Sequence, residues 1–225
     1  LQLGNTLEFE PAVINRLSAF TGMTLSEVSR AVRIPLSPSK SGAALLVRRA
    51  IGVLDDRAFI REFKERGIEI KVVPVSPSGR PYEAMSFPRF DHMEVWKDDW
   101  EESDLLQQLN RILIVPLVRR TRKTARGEQY WGSAFFWSPT DEELRGIEVE
   151  WRDYVRRIEA GEARTLPGAA ETRFIHVRPH ARNMHDTERA PMVGEVVKKS
   201  FWLNQDYLSR IIAAHGGIPV LLRRS

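Results

Sequence analysis

The chain has 225 residues, of which 42% are hydrophobic and 28% charged, a composition typical of a globular protein with one large domain or two small lobes. It contains no cysteine, which excludes disulfides and thiolate metal sites, and no apolar run approaches the roughly 18–20 residues of a membrane helix. The net charge of +4 is compatible with a polyanionic partner, and the lack of cysteines and of a basic signal-peptide start predicts a cytoplasmic protein.

The first 52 residues show helical patterns. Apolar residues at helical spacing predict a helix over 10–20. Thr24 and Glu27 have the spacing of a capping box, which predicts the start of a second helix. Ser41 is expected to cap a third helix, and Gly52 stands where a helix-ending glycine is expected.

From Ile68 the hydrophobic period changes to strict alternation, which predicts a half-buried strand. Further strands are predicted over 85–90, 111–118, 132–137 and 173–178, with a long helix from 138 to 161 and a last helix that Asn204 or Asp206 caps and Gly216 ends. Helices around a mixed sheet make the expected fold class α/β, of the α+β mixed-sheet kind.

Glu62, Glu69 and Lys71 form the group with the clearest chemical potential. Glu69 and Lys71 are two residues apart on a predicted strand, so their side chains leave the same face, and Glu62 lies in the turn leading into that strand. Two carboxylates and a lysine suit metal-dependent phosphodiester hydrolysis, in which the carboxylates hold Mg²⁺ and the lysine orients the attacking water or stabilises transition-state charge. The same alternation is also typical of a solvated strand face, so the pattern alone leaves both interpretations open.

Segments in the same order along the chain resemble the MutH family of mismatch-repair endonucleases, which nick unmethylated GATC sites. The resemblance runs from Leu17 to the end of the chain. It rests on FTGMTL from Phe20, GIEIK from Gly67, RILIVP from Arg111, WSP from Trp137 and VRP from Val177.

This resemblance implies a restriction-endonuclease-like core in which two lobes form a cleft for duplex DNA. Residues 1–225 would form a single MutH-like domain, with one lobe over roughly 1–130 and the other over roughly 131–225. The first lobe would hold Glu69, Lys71 and the Mg²⁺ that Glu62 and Glu69 bind. The second would hold Arg178 and the last helix.

Other segments are similar to the C-terminal half of staphylococcal-type GATC-specific type II restriction enzymes. They are MSF from Met85, WEES from Trp100, HVRPH from His176 and SFWLNQDY from Ser200. In those enzymes a first MutH-like domain cuts, and a second binds DNA as an effector with an eroded active site. The resemblance implies that this chain is such a second domain, covalently linked to an N-terminal nuclease domain.

Three positions depart from the active-family pattern. Glu62 stands where the first metal-binding residue is normally Asp, Arg48 where a helix carries a further Glu, and Gln108 where active members have a second Lys. A positive charge at Arg48 argues against strong Mg²⁺ binding. Because Glu69 and Lys71 remain, loss of cleavage does not follow, and both an effector domain with no cofactor and a Mg²⁺-dependent endonuclease stay open.

The resemblance also implies a set of DNA contacts, namely Arg178, His180, Lys198, Lys199 and Trp202. Arg178 would bind a guanine edge or clamp a phosphate from a major-groove loop, and His180 would keep a donor beside it. Lys198 and Lys199 would contact phosphates just before a turn at Ser200. Trp202 would lie near the recognised bases or belong to the core.

Two interpretations remain open beside these. The basic run from Arg119 to Lys123 suits a phosphate-facing edge and a solvated hairpin tip equally well. His176, between two apolar residues on a predicted strand, is expected to be structural. A mixed α/β domain with only a protein partner is the least favoured function, because it leaves the ordered matches unexplained.

Overall fold

The computed structural model describes residues 6–37, 42–52 and 63–219, without the side chains of residues 6 and 7. The chain divides into two compact units. Unit 1 comprises Leu1–Glu83, Arg111–Trp137 and Ser209–Ser225, and unit 2 comprises Ala84–Asn110 and Ser138–Leu208. Each unit thus combines segments that are distant in sequence, whereas the lobes expected from the sequence are continuous. The division near residue 130 and the linked N-terminal domain stay predictions.

The described residues form both helices and strands in each unit. The helices are α1 Thr6–Ser18, α2 Leu25–Ala31, α3 Gly42–Ala50, α4 Asp104–Leu109, α5 Asp141–Glu159 and α6 Gln205–Ala214. The strands are β1 Ile68–Val75, β2 Met85–Arg89, β3 Arg111–Val118, β4 Tyr130–Trp131, β5 Phe135–Trp137, β6 Ile175–Pro179, β7 Thr187–Ala190, β8 Gly194–Val197 and β9 Lys199–Leu203. This mixed α/β architecture confirms the predicted fold class.

The start of α2 and the end of α3 follow the sequence signals, whereas α1 is shifted towards the N-terminus from the predicted 10–20. Glu27 Oε2 accepts the Thr24 N–H at 2.7 Å, and Thr24 Oγ1 accepts the Glu27 N–H at 3.3 Å, which confirms the predicted capping box of α2. Gly52 has a φ of +88° just after α3, in the left-handed conformation that favours glycine. Ser41, the expected cap of α3, lies outside the described residues.

A mixed sheet with β3 at its centre organises unit 1. β1 runs parallel to β3, while β4 and β5 pair with β3 in the antiparallel sense. The even-numbered face of β1, beginning with Ile68, joins the apolar core beneath α1 and α3. Side chains alternate across a strand, so Glu69 and Lys71 share the opposite face. The core therefore determines the face on which this charged pair lies.

Unit 2 is built on an antiparallel sheet in the order β2-β9-β6, with β7 and β8 forming a separate hairpin. All five residues of β9 are buried, so the strand lies at the centre of its sheet and of its core. The sequence prediction of a turn at Ser200 is therefore wrong. A strand buried on both faces loses the polar alternation that identifies half-buried strands, and that is why the pattern missed it.

Helix α5 fixes the start of β6. The helix begins at Asp141, close to the start at 138 that the sequence predicts, with a capping box between Thr140 and Glu143. The Glu150 carboxylate accepts backbone N–H groups from three successive residues, at 2.6 Å from Arg173, 3.1 Å from Phe174 and 2.8 Å from Ile175. Gly146 of α5 lies against the Phe174 ring, where an added Cβ would come within 2.3 Å. Helix and strand are thus held at close spacing.

Candidate functional site

Glu69 and Lys71 occupy the predicted place on β1. In the parallel register Glu69 pairs with Ile112 and Lys71 with Ile114, so apolar neighbours share the face that carries the two charges. Burial lowers the pKa of the Lys71 ammonium, and the nearby Glu69 carboxylate partly opposes this by favouring the charged form. β1 therefore places beside the Glu69 carboxylate a lysine that loses its proton more readily than an exposed lysine does.

Of the two predicted metal ligands, Glu62 and Glu69, the structure describes only Glu69. Glu62 lies outside the described residues. Within 6–37, 42–52 and 63–219, no three His, Cys, Asp or Glu side chains come together in a group able to hold a metal ion. Glu69 has the oxygen donor that Mg²⁺ prefers, and Mg²⁺ sites often use one or two carboxylates with water completing the shell. The described residues thus fit one ligand of such a site.

Arg178 and Trp202 form the best-defined pair in unit 2. Arg178 is exposed near the end of β6, and Trp202 is buried on the neighbouring strand β9. The Arg178 Cζ lies 3.9 Å from the centroid of the Trp202 ring, a cation–π contact at close range. The buried ring limits the positions that the guanidinium can adopt, so its donors are preorganised.

His180 continues the same surface. Its Nδ1 is 2.9 Å from the Ser200 Oγ, and its ring centroid is 5.3 Å from that of Trp202. The His180 N–H also donates to the Lys198 carbonyl at 2.9 Å, just beyond the last pair of β6 and β9. Arg178 and His180 are therefore both positioned by β9.

The two adjacent lysines have different environments. The Lys198 Nζ donates to Asp186 Oδ1 at 2.7 Å, and its side chain is 28% exposed. Lys199 is buried, its Nζ donates to the Ala163 carbonyl, and burial lowers its pKa. Lys199 therefore has a structural setting, and its role as a phosphate contact stays a prediction.

Asp186 connects several cationic residues that the sequence did not bring together. Besides Lys198, it accepts the Arg182 backbone N–H at 3.0 Å and Arg89 Nη1 at 3.3 Å. The hydrogen bond from Lys198 and that from the Arg182 backbone lower the pKa of Asp186 to about 2.

Arg89 and Arg182 also line an open depression of about 590 Å³, together with Pro88, His180 and Ala181. No local signal marks this cluster, because Arg89 and Asp186 are 97 residues apart.

His176 is structural, as the sequence predicts. It is buried on β6, and its Nδ1 is hydrogen-bonded to Asn204 Oδ1. The Asn204 Nδ2 donates to the Thr172 carbonyl at 2.8 Å. The side chain of Asn204, the residue just before α6, thus connects His176 of β6 with Thr172.

No helix of the described part of the chain is long and apolar enough to cross a membrane.

Comparisons with known proteins relate the chain to one family. The family model described as DNA mismatch repair enzyme MutH matches residues 58–150, which include β1 and β3. The DNA mismatch repair protein MutH of Pectobacterium atrosepticum is 26% identical over 219 residues, which cover 92% of each chain. That of Escherichia coli strain K12 is 26% identical over 219 residues, 92% of this chain and 93% of the relative. That of Haemophilus influenzae strain PittEE is 23% identical over 210 residues, 90% and 93% of the two chains. These similarities support a MutH-like protein and are consistent with a restriction-endonuclease-like core.

Proposed function

We propose that this MutH-like chain binds double-stranded DNA at GATC sequences through the unit 2 surface formed by Arg178, His180 and Lys198. The observation that carries the proposal is the stacking of Arg178 on buried Trp202. A guanidinium held by its face keeps its in-plane N–H donors for bidentate hydrogen bonds to guanine O6 and N7. Lys198, held by Asp186, adds a cation that suits a phosphate.

The biological setting that best fits this surface is the effector domain of a type II restriction endonuclease. Here the domain recognises GATC, and an N-terminal nuclease domain in the same longer chain cuts. The support comes from the segments similar to staphylococcal-type enzymes and from Arg48 and Gln108, which stand where active relatives carry an acid and a lysine. In this setting the domain needs no cofactor.

A second function, Mg²⁺-dependent cleavage or nicking at GATC, is supported by Glu69 and Lys71 on one face of β1. Glu62 and Glu69 would hold the metal, which when bound polarises the scissile phosphate and lowers the pKa of a water molecule. Lys71 would orient that water or stabilise charge on the phosphate, and its lowered pKa suits a proton-handling role. Similarity to MutH relatives over nine-tenths of both chains favours this function as well.

The first test measures binding and cutting in parallel. A duplex containing GATC and a one-base variant are titrated with the chain, and a GATC plasmid is incubated with it and Mg²⁺. Selective binding without cutting is the result expected of an effector domain. Cutting that is lost in Lys71→Ala identifies an endonuclease, and equal affinity for the two duplexes contradicts GATC recognition.

Arg178→Ala is expected to weaken GATC binding by roughly 1–3 kcal/mol and to reduce discrimination against the one-base variant. Arg173→Ala is the matched control, since Arg173 is also exposed in unit 2 and lies over an aromatic ring, with its Cζ 4.8 Å from the Phe174 centroid. Discrimination that survives Arg178→Ala, or is lost equally in Arg173→Ala, contradicts the assignment.

A further inference from the structure

The segment 119–126, which begins the connection between β3 and β4, has the largest excess of positive charge in unit 1. It contains five basic residues and no acidic one, whereas the whole chain has 34 basic and 30 acidic residues. These five are Arg119, Arg120, Arg122, Lys123 and Arg126. The segment therefore carries more positive charge than the net charge of the entire chain. We call it the basic connection.

Backbone and side-chain hydrogen bonds give the basic connection a defined shape. The Arg119 N–H donates to the Val75 carbonyl at 2.9 Å, which places the start of the segment beside the end of β1. The Thr124 Oγ1 accepts the Thr121 N–H at 3.0 Å, and the Thr124 N–H donates to the Thr121 carbonyl at 3.2 Å. The turn that carries Arg122 and Lys123 is thus closed at its base.

Tyr82 acts as a platform for two of the arginines. The Cζ atoms of Arg119 and Arg122 lie 4.5 and 5.4 Å from the centroid of its ring. The Tyr82 hydroxyl donates to the Arg119 carbonyl at 3.0 Å, and Arg122 Nη2 donates to the Tyr82 carbonyl at 2.6 Å. Two guanidinium groups are therefore held next to each other despite their mutual repulsion, a geometry that a polyanion would stabilise.

Arg120 and Lys123 complete the charged surface. Both are exposed, and neither forms an ion pair within the part of the chain that the structure describes. Val75 lies four residues after Lys71 on β1, a distance of about 13 Å at strand spacing. If Lys71 faces the scissile phosphate, the basic connection meets other phosphates of the same duplex.

We propose that the basic connection is a second DNA-binding surface, which holds the phosphodiester backbone independently of sequence. The proposal rests on the function proposed above and adds to it a contact in unit 1. Arg120 and Lys123 bind phosphates directly, and Tyr82 is a positioning residue that fixes Arg119 and Arg122. Such a surface raises affinity for all duplexes alike, because phosphates carry no sequence information.

The test compares Arg120→Ala/Lys123→Ala with the unaltered chain. Fluorescence anisotropy measures affinity for a GATC duplex and a scrambled duplex over a series of salt concentrations. We expect the slope of log K against log salt to fall by about two units for both duplexes, since each phosphate contact contributes about 0.9. At 0.1 M salt this corresponds to a loss of roughly ten- to hundredfold in affinity.

Arg30→Ala/Arg145→Ala removes the same charge from two exposed helical residues and serves as the matched control. If the control variant lowers the slope equally, the effect is explained by net charge alone and the proposal is overturned. An unchanged slope in Arg120→Ala/Lys123→Ala overturns it as well. Tyr82→Phe keeps the platform and is expected to retain the slope, whereas Tyr82→Ala is expected to lower it.

The outcomes separate this inference from the proposed function. If the unaltered chain prefers GATC but the double variant keeps its salt slope, only the basic connection is excluded. If the unaltered chain binds both duplexes equally and the slope still falls, the inference stands and GATC recognition fails. If no duplex is bound at any salt concentration, both are overturned.

Discussion

The sheet that carries Lys71 and the sheet that carries Arg178 hold their charged side chains in different ways. On β1, Glu69 and Lys71 share a face with the apolar side chains of Ile112 and Ile114. On β6 and β9, by contrast, Arg178 is stacked on Trp202, and just before β9 Lys198 is hydrogen-bonded to Asp186.

The difference separates cations that neighbouring side chains already hold in position from a lysine whose burial disfavours its charge. A cation that is already held in position loses less conformational entropy when a ligand arrives, which favours affinity and selectivity. A lysine whose pKa is lowered by burial destabilises the fold while it is charged, and such costs are typical of functional sites.

The largest effect is expected from the removal of the ring beneath Arg178. Trp202 is 8% exposed, so Trp202→Ala is expected to lower the free energy of unfolding by about 3–5 kcal/mol and to abolish GATC preference. Trp202→Phe keeps an aromatic face and should retain most of both properties. Urea denaturation and duplex titration measure the two effects, and wild-type stability of Trp202→Ala would contradict the packing described here.

The next largest effect on stability is expected at Glu150, whose carboxylate holds the backbone at the start of β6. Glu150→Ala leaves the backbone donors of Arg173, Phe174 and Ile175 without their acceptor, and is expected to destabilise the chain by about 2 kcal/mol. Glu148→Ala is the control on the same helix, because it removes only an ion pair to a half-exposed arginine and should change stability by less than about 1 kcal/mol. Equal effects of the two changes would count against a special role for Glu150.

Protonation of the buried histidines of unit 2 is expected to make stability depend on pH. Burial lowers the pKa of His92 below 6.5, outweighing the hydrogen bond to Glu188, and burial likewise lowers the pKa of His176. These histidines therefore bind protons more readily in the unfolded chain than in the folded one. The free energy of unfolding is highest above about pH 6.5 and declines as the pH falls below it. Urea denaturation at pH 5, 6 and 7 should show this decline, and His92→Gln should flatten it. The exposed His185 provides the control, and a profile flattened equally by His185→Gln would contradict the assignment.

The smallest effect, and the opposite in sign, is expected at Lys71. Because burial penalises its charged form, Lys71→Met should raise the free energy of unfolding by up to about 1 kcal/mol while abolishing any cleavage. Exposed Lys64→Met should change neither property. A clear loss of stability in Lys71→Met would show that this lysine stabilises the sheet, and the contrast between the two sheets would then disappear.

Local signals in the sequence predicted much of the fold. The capping box at Thr24, the helix start near residue 138 and the alternation that begins at Ile68 each depend on residues close in sequence, and the structure confirms them. The strand β9 was missed because burial on both faces removes alternation, and the hairpin of β7 and β8 was missed as well.

The candidate site was less predictable, because it depends on which strands pair. Lys198 and Lys199 are equivalent in the sequence, yet one reaches Asp186 and the other is buried against the Ala163 carbonyl. Arg89 joins Asp186 only through folding, so no spacing rule could identify it. The roles of Glu62, Glu69 and Lys71 in cleavage stay predictions. So do the roles in binding DNA of Arg178, His180, Lys198, Lys199 and Trp202.

The close approach of Gly146 to the Phe174 ring has a consequence for mutational tolerance. Phe174 directly precedes β6, and four residues later the chain reaches Arg178. A methyl group at position 146 would push against the ring, and the displacement would propagate along a stiff strand to the guanidinium. Gly146→Ala would therefore act on the proposed DNA selectivity through packing within unit 2, so a screen for altered sequence preference should include half-buried helix positions as well as the exposed surface.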